Sequence, residues 1–333
     1  MSLTISPWKY GKQWVYSVTY DEALADLHRF VVPIHEDHGI PGHVEVVVGQ
    51  MGQTRKIGNS SFNGYRHMSA TELKELLHHG WGVGNHSWSH EVITTDTVER
   101  EIGTAKEVLE QAIGSSVFLF CSPGDNTNMS DHVLEACRRH GYLGAMSITD
   151  ALNRPDDEMF WINRTPLHDQ LYGPFFSAFD PYRNIRQAQA DNGWLIDYCH
   201  CPLETPLHPN KDCSESQLRR RFEAIIGEGG DSVWCTTPEE ALSYHLLRRS
   251  ARIESIEVSE RAHHYRVNLP ELAENLPYQT LTMEAPVPVA WSIDPHVSID
   301  GHRTPAELLR PQVLRFTANI NNGTDVLIAP RSL

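Results

Sequence analysis

The 333-residue chain has no run of Lys and Arg longer than the three arginines at 219–221, no long uninterrupted apolar stretch, no CxxC pair, and no internal repeat or low-complexity segment. Each absence excludes something. Without a concentrated cationic surface there is nothing to neutralise a phosphate backbone, so no nucleic-acid partner is expected. No segment reaches the roughly 18 to 20 continuous apolar residues of a membrane helix, and the opening MSLTISPWKYGK lacks the apolar centre of a signal peptide. A soluble protein with a cytoplasmic address and no membrane partner is the expectation. The six cysteines (121, 137, 199, 201, 213 and 235) are too sparse for a disulfide scaffold and read as reduced thiols.

What is present is the composition of a globular protein: 40% hydrophobic residues, and a formal charge of −15 from 43 Asp and Glu against 28 Lys and Arg. The acidity speaks to solubility. Residues 1–250 alternate strand-like and helix-like segments. WVYSVTY, HVEVVVG, WGVGNH, VFLFC, YLGAMSI, FWINRT, WLIDYCHC and VWCTT read as strands; ATELKELLHHG and TTDTVEREIGTAKEVLEQAIG are among the helices between them. Ser69 and Glu72 form a capping-box pattern at the start of the first of these helices, and Gly80 marks its stop. Such an order predicts parallel strands with helices outside, as a barrel or an open sheet. Residues 251–333 contain strand-like pieces joined by Pro, Gly and Asn, which predicts a small all-β, sandwich-like accessory domain.

In α/β folds reactive groups collect where strands end. There the chain places Asp21 and Glu22 after the first strand, His86 and His90 in GWGVGNHSWSH, and His200 in DYCHC. If the residues after Asn85 enter a helical turn, the i, i+4 spacing puts both imidazoles on one face, within reach of one metal ion. The alternative is two surface histidines among the chain's 19. Carboxylate, paired histidines and a further histidine are the groups that metal-assisted hydrolysis requires. Cys199 and Cys201 flank His200 but point to the opposite strand face, and read as small buried residues. His35, His38 and His43 read as surface residues of a turn.

TYDE, HVEVVVG, GWGVGNHSWSH, FCSPGDNTN and WLIDYCH, in this order, resemble the polysaccharide deacetylase family, carbohydrate esterase family four, over roughly residues 10 to 245. The resemblance implies a distorted (β/α) barrel and removal of an acetyl group from an N- or O-acetylated carbohydrate through a metal-bound water. By the same resemblance Asp21 is the catalytic base, His200 the acid, and Glu22, His86 and His90 the ligands of one divalent ion, Zn with Co or Mn as alternatives. The family's usual residue at the Glu22 position is Asp. Ser122, Pro123, Gly124 and Asp125 fall in the turn that the family places near substrate, and turn chemistry alone also explains Asp125. The arginine that many members use to hold the base is missing from this turn. Arg164, at the end of FWINRT, is the candidate to orient Asp21, with a purely structural arginine as the alternative. The expected partner is a small-molecule or oligosaccharide substrate, and a homo-oligomer is compatible with the sequence. Two rival functions stand beside this one: an allantoinase-like amidohydrolase of a small cyclic amide, and an inactive glycan-binding pseudoenzyme.

Overall fold

A computed structural model describes residues 2–60, 62–169, 179–208, 210–274, 276–291, 295–309 and 312–330. Contacts divide the chain into two units, residues 14–239 and residues 1–13 with 240–333. The division falls at Glu239/Glu240 rather than at 250/251, inside helix Pro238–Ser250. The first residues join the second unit because strand β1 (Thr4–Ile5) pairs antiparallel with a strand that lies some 280 positions later.

In the larger unit β2 (Trp14–Asp21), β3 (His43–Val46), β4 (Gly82–Asn85), β5 (Leu119–Cys121), β6 (Gly144–Met146), β7 (Thr165–Pro166), β8 (Trp194–Cys199) and β9 (Val233–Cys235) form a parallel sheet. The order is β6-β5-β4-β3-β2-β8-β7, with β9 paired to the first half of β2. A parallel bridge from Ile162 to Met146 and the pairing of Thr165 with Asp197 join the two ends of this path, so the sheet closes. The result is a distorted (β/α) barrel, the one of the two forms left open by the β/α alternation that the family resemblance implies.

Helices α1 (Leu27–Phe30) to α7 (Glu215–Gly229) cover the outside. The capping box at Ser69 and Glu72 is formed, and Gly80 takes the left-handed conformation that a helix stop needs. Strand β2 shows how the sequence sorts itself. Trp14, Tyr16, Val18 and Tyr20 face the apolar layer under the helices, while Ser17, Thr19 and Asp21 point into the barrel. Asp197, on the outer face of β8, is held by Arg221 and by the Tyr16 hydroxyl at 2.7 and 2.8 Å, a structural pairing away from the strand ends.

The smaller unit is antiparallel throughout. One sheet contains β1, β12 (Thr280–Pro286), β16 (Val313–Asn319) and β15 (Ala306–Leu309). The other runs β10 (Arg252–Val258), β11 (His263–Asn268), β17 (Thr324–Pro330), β13 (Pro295–Ile299) and β14 (His302–Thr304). Alternating buried and half-buried residues along β11 and β13 are what a strand with one face on a core gives.

Candidate active site

The carboxyl ends of the barrel strands surround a cavity of about 450 Å3, lined by Asp21, Glu22, His86, His90, Ser122, Gly124 and His200 from the sequence reading. Pro123 and Asp125 lie outside this lining. The Pro123 carbonyl accepts from the Asn128 amide, and the exposed Asp125 carboxylate accepts from the Thr127 N–H.

Asp21 ends β2, and both its oxygens accept from the buried Arg164 guanidinium, at 2.6 and 3.2 Å. Arg164 is itself fixed by bonds to Thr19 Oγ1 and the Ser147 carbonyl, with its guanidinium stacked over Tyr198. Burial alone would raise the Asp21 pKa, but Arg164 and then His86 outweigh it and hold the carboxyl well below its usual range.

The chain after β2 turns sharply, with Glu22 and Ala23 both in the left-handed region at φ 77° and 49°. The His67 ring donates to the Glu22 carbonyl and the Met68 N–H to that of Ala23, which holds this costly backbone in place. The turn brings the Glu22 carboxylate to 3.4 Å from His90 Nε2 and against the Arg55 guanidinium.

His86 and His90 meet with ring centroids 5.0 Å apart, but not on a helical turn. The segment is a loop in which Ser87 and His90 have φ of 67° and 61°. Its shape is imposed from a distance: the buried Glu101 carboxylate accepts from the Trp88 and Ser89 N–H groups and the Ser89 hydroxyl. His86 Nδ1 donates to the Cys121 carbonyl at 3.1 Å, which leaves Nε2 with its lone pair. Burial lowers the His86 pKa to about 4, so the ring is neutral and suited to ligate.

Among the described residues the grouping whose ligand atoms all lie within 4.8 Å of one another is Asp21, His86 and Cys121. Glu22, expected as a ligand beside His86 and His90, meets His90 and Arg55 instead of completing such a grouping. Neutral imidazoles with buried carboxylate oxygen fit a divalent ion of the zinc type. Arg55 is the competing cation at Glu22.

His200 completes the opposite wall. Its Nδ1 donates to the Lys211 carbonyl and its ring stacks on Phe62 at 4.7 Å. Asp212 accepts from the His200 and Cys201 N–H groups, fixing the backbone there. Burial lowers the His200 pKa to about 4.

The sequence reading missed Arg55, Phe62, His168 and Lys211, all of which line the cavity. None lies in a motif, and only the position of His168 just beyond β7 signals a strand end. The loop before WLIDYCH carries Tyr172, Phe175, Phe176, Phe179 and Tyr182, compatible in sequence with a hydrophobic clamp over the barrel end or with one wall of a cleft; the first three lie outside the described residues. His35 and His43, read as surface residues, are buried. His35 bonds the Tyr20 hydroxyl and the Ile40 carbonyl, and His43 sits between two glutamates.

Residues 9–145 match the family model described as Polysaccharide deacetylase, and the resemblance drawn from the motifs holds over that stretch. A Bacillus subtilis (strain 168) protein named "Putative polysaccharide deacetylase YxkH" is 19% identical over 166 residues, 49% of this chain and 54% of the relative. The chain thus spans about half the length of that curated relative. Among solved structures, one described as "putative polysaccharide deacetylase from Mycobacterium smegmatis" aligns at a TM-score of 0.46 and 16% identity, over 72% of this chain and 92% of that one. IcaB from Ammonifex degensii aligns at 0.40 and 19%, over 53% and 72%. Among the described residues no helix is long and apolar enough to cross a membrane.

Proposed function

We propose that the cavity hydrolyses an acyl group, most simply acetyl, from an N- or O-acylated carbohydrate, with one divalent ion held by Glu22, His86 and His90. The observation that carries this reading is the Asp21 carboxylate, clamped by Arg164 at the mouth of the same cavity that holds the paired histidines and His200. A bound ion would polarise the acyl carbonyl and acidify a water molecule.

The remaining roles belong to the chain. Asp21 takes the proton of the attacking water; Arg164 keeps that carboxylate ionised and aimed, at a cost in its proton affinity. The turn after β5 supplies a donor for the oxyanion. Ser122 and Asp125 spend their N–H groups on the Met146 and Pro123 carbonyls, and Pro123 has none. Gly124 is the amide of this turn that lines the cavity and has no protein acceptor among the described residues. At His200 the bond to Lys211 O fixes Nδ1–H, so Nε2 is the atom that receives a proton and returns it to the leaving group.

Elemental mass spectrometry on chelator-free protein, beside His90→Ala, tests the ligand set together with acetate release from acetylated chito- and xylo-oligosaccharides. The expected result is one ion per chain in the wild type, lost in the variant, with acetate released only by the loaded protein. No ion and no acetate would overturn the reading.

The Arg55–Glu22 pair favours a second one, a cyclic-amide hydrolase in which a guanidinium takes the counter-charge role of the ion. Turnover of hydantoin-type amides by ion-free protein would select it.

A further inference from the structure

Asp21, Glu22, Arg55 and Lys211 are the ionised groups that line the cavity, and the buried Arg164 stands behind Asp21. Asp21 is matched by Arg164 and Glu22 by Arg55, two closed pairs. Lys211 also lines the cavity, and among the described residues no carboxylate meets it. Its Nζ stands 6.0 Å from the centre of the Phe62 ring, which in turn stacks on His200. Burial, and then the proximity of Arg55, lower the Lys211 pKa. A half-buried ammonium beside a second cation costs free energy that the Phe62 ring, 6.0 Å from Nζ, offsets only in part. With Arg164 counted, the site holds three cations against two carboxylates in a chain whose formal charge is −15, so the excess does not follow from the general composition.

We propose that Lys211 recognises a carboxylate on the substrate, so that the preferred substrate is an acylated acidic sugar, a uronate or a carboxyalkyl ether, whose acid group lies against the Lys211–Phe62 wall while the acyl group faces Asp21. This rests on the deacylase reading. Phe62 gives a sugar ring an apolar face to lie on, and Lys211 gives its acid group a partner. His200 is bonded to the main-chain carbonyl of Lys211, so a change of side chain leaves that bond in place.

The test compares kcat/KM for acetate release from an N-acetylglucosamine oligomer, the same oligomer carrying lactyl ether groups, and an acetylated oligouronate. The wild type is expected to favour at least one acidic substrate about tenfold or more, with the preference shrinking as salt is added. Lys211→Gln should bring the ratio near one and Lys211→Arg should keep it; because a ratio is read, a general loss of activity cancels. Which acidic arm responds separates the lactyl ether from the uronate. Equal use of neutral and acidic substrates, or a preference that survives Lys211→Gln, overturns the inference while the deacylase reading stands.

If no acetate is released from any substrate, the deacylase reading fails, and calorimetric binding of the same oligomers decides the inference alone. Tighter binding of an acidic oligomer, lost in Lys211→Gln, supports it. Equal binding overturns it.

Discussion

Two of the barrel's clusters of buried charge make a contrast, one at the strand ends and one deeper inside. In the deeper cluster His43 lies between Glu45 and Glu239, 2.7 Å from each, and all three side chains are nearly or wholly inaccessible. Gly82 and Gly84 of β4 make room for it: a Cβ at 82 would strike His43 and Glu239, and one at 84 would strike Glu45. At the strand ends Asp21 is equally buried and equally paired, yet its neighbours leave a cavity open beside it. Asp21 and Glu45 are cross-strand partners, so one residue of β2 and one of β3 belong to the two regimes at the same level. The contrast teaches that buried charge is not by itself a sign of chemistry. The deep cluster is closed on every side by protein, whereas the upper one is paired on one side and open to a ligand on the other.

The strongest way to break the contrast is Asp21→Asn. It should lower kcat by about 10²–10⁴-fold, with a circular dichroism spectrum like that of the wild type. His43→Leu should do the reverse, leaving glutamates buried without their cation. We expect a loss of roughly 3–5 kcal/mol in denaturant-induced unfolding, with little change in acetate release per folded molecule.

The same cluster predicts a pH dependence. Burial opposes the charge on His43, but Glu239 and Glu45 outweigh it and raise the pKa from 6.5 to about 10. Stabilisation by the charged ring is therefore complete below about pH 6.5 and disappears as pH rises through about 10. The wild-type Tm should fall over that interval, and the His43→Leu Tm should lack this component. Gly84→Ala, which presses on Glu45, should cost about 1–3 kcal/mol, measured by the same unfolding experiment, and should sharpen the comparison by perturbing the deep cluster alone.

Much of the barrel was legible, because strand and helix periods alternate cleanly and the polar residues after each apolar run mark the strand ends. Asp21, Glu22, His86, His90 and His200 were found this way, and the structure brings them to one cavity. What escaped has physical reasons. The i, i+4 spacing of His86 and His90 brings the two rings to one face if a helical turn forms, and no such turn forms in HSWSH. Its actual conformation is set by Glu101, which local sequence cannot connect to it. Arg55, Phe62 and Lys211 sit in loops with no periodicity, and their placement follows from how loops cross the barrel mouth. His35 and His43 looked like exposed turn residues because their partners, Tyr20 and Glu239, are supplied by other strands and helices.

The pairing of Thr4 with Glu284 has a consequence for synthesis. Strand β1 is made well before its partner, which appears only after about 280 further residues, on the order of tens of seconds at typical translation speeds. By the end of that interval the barrel segment is whole and can assemble, while β1 still waits unpaired for a sheet that is not yet complete.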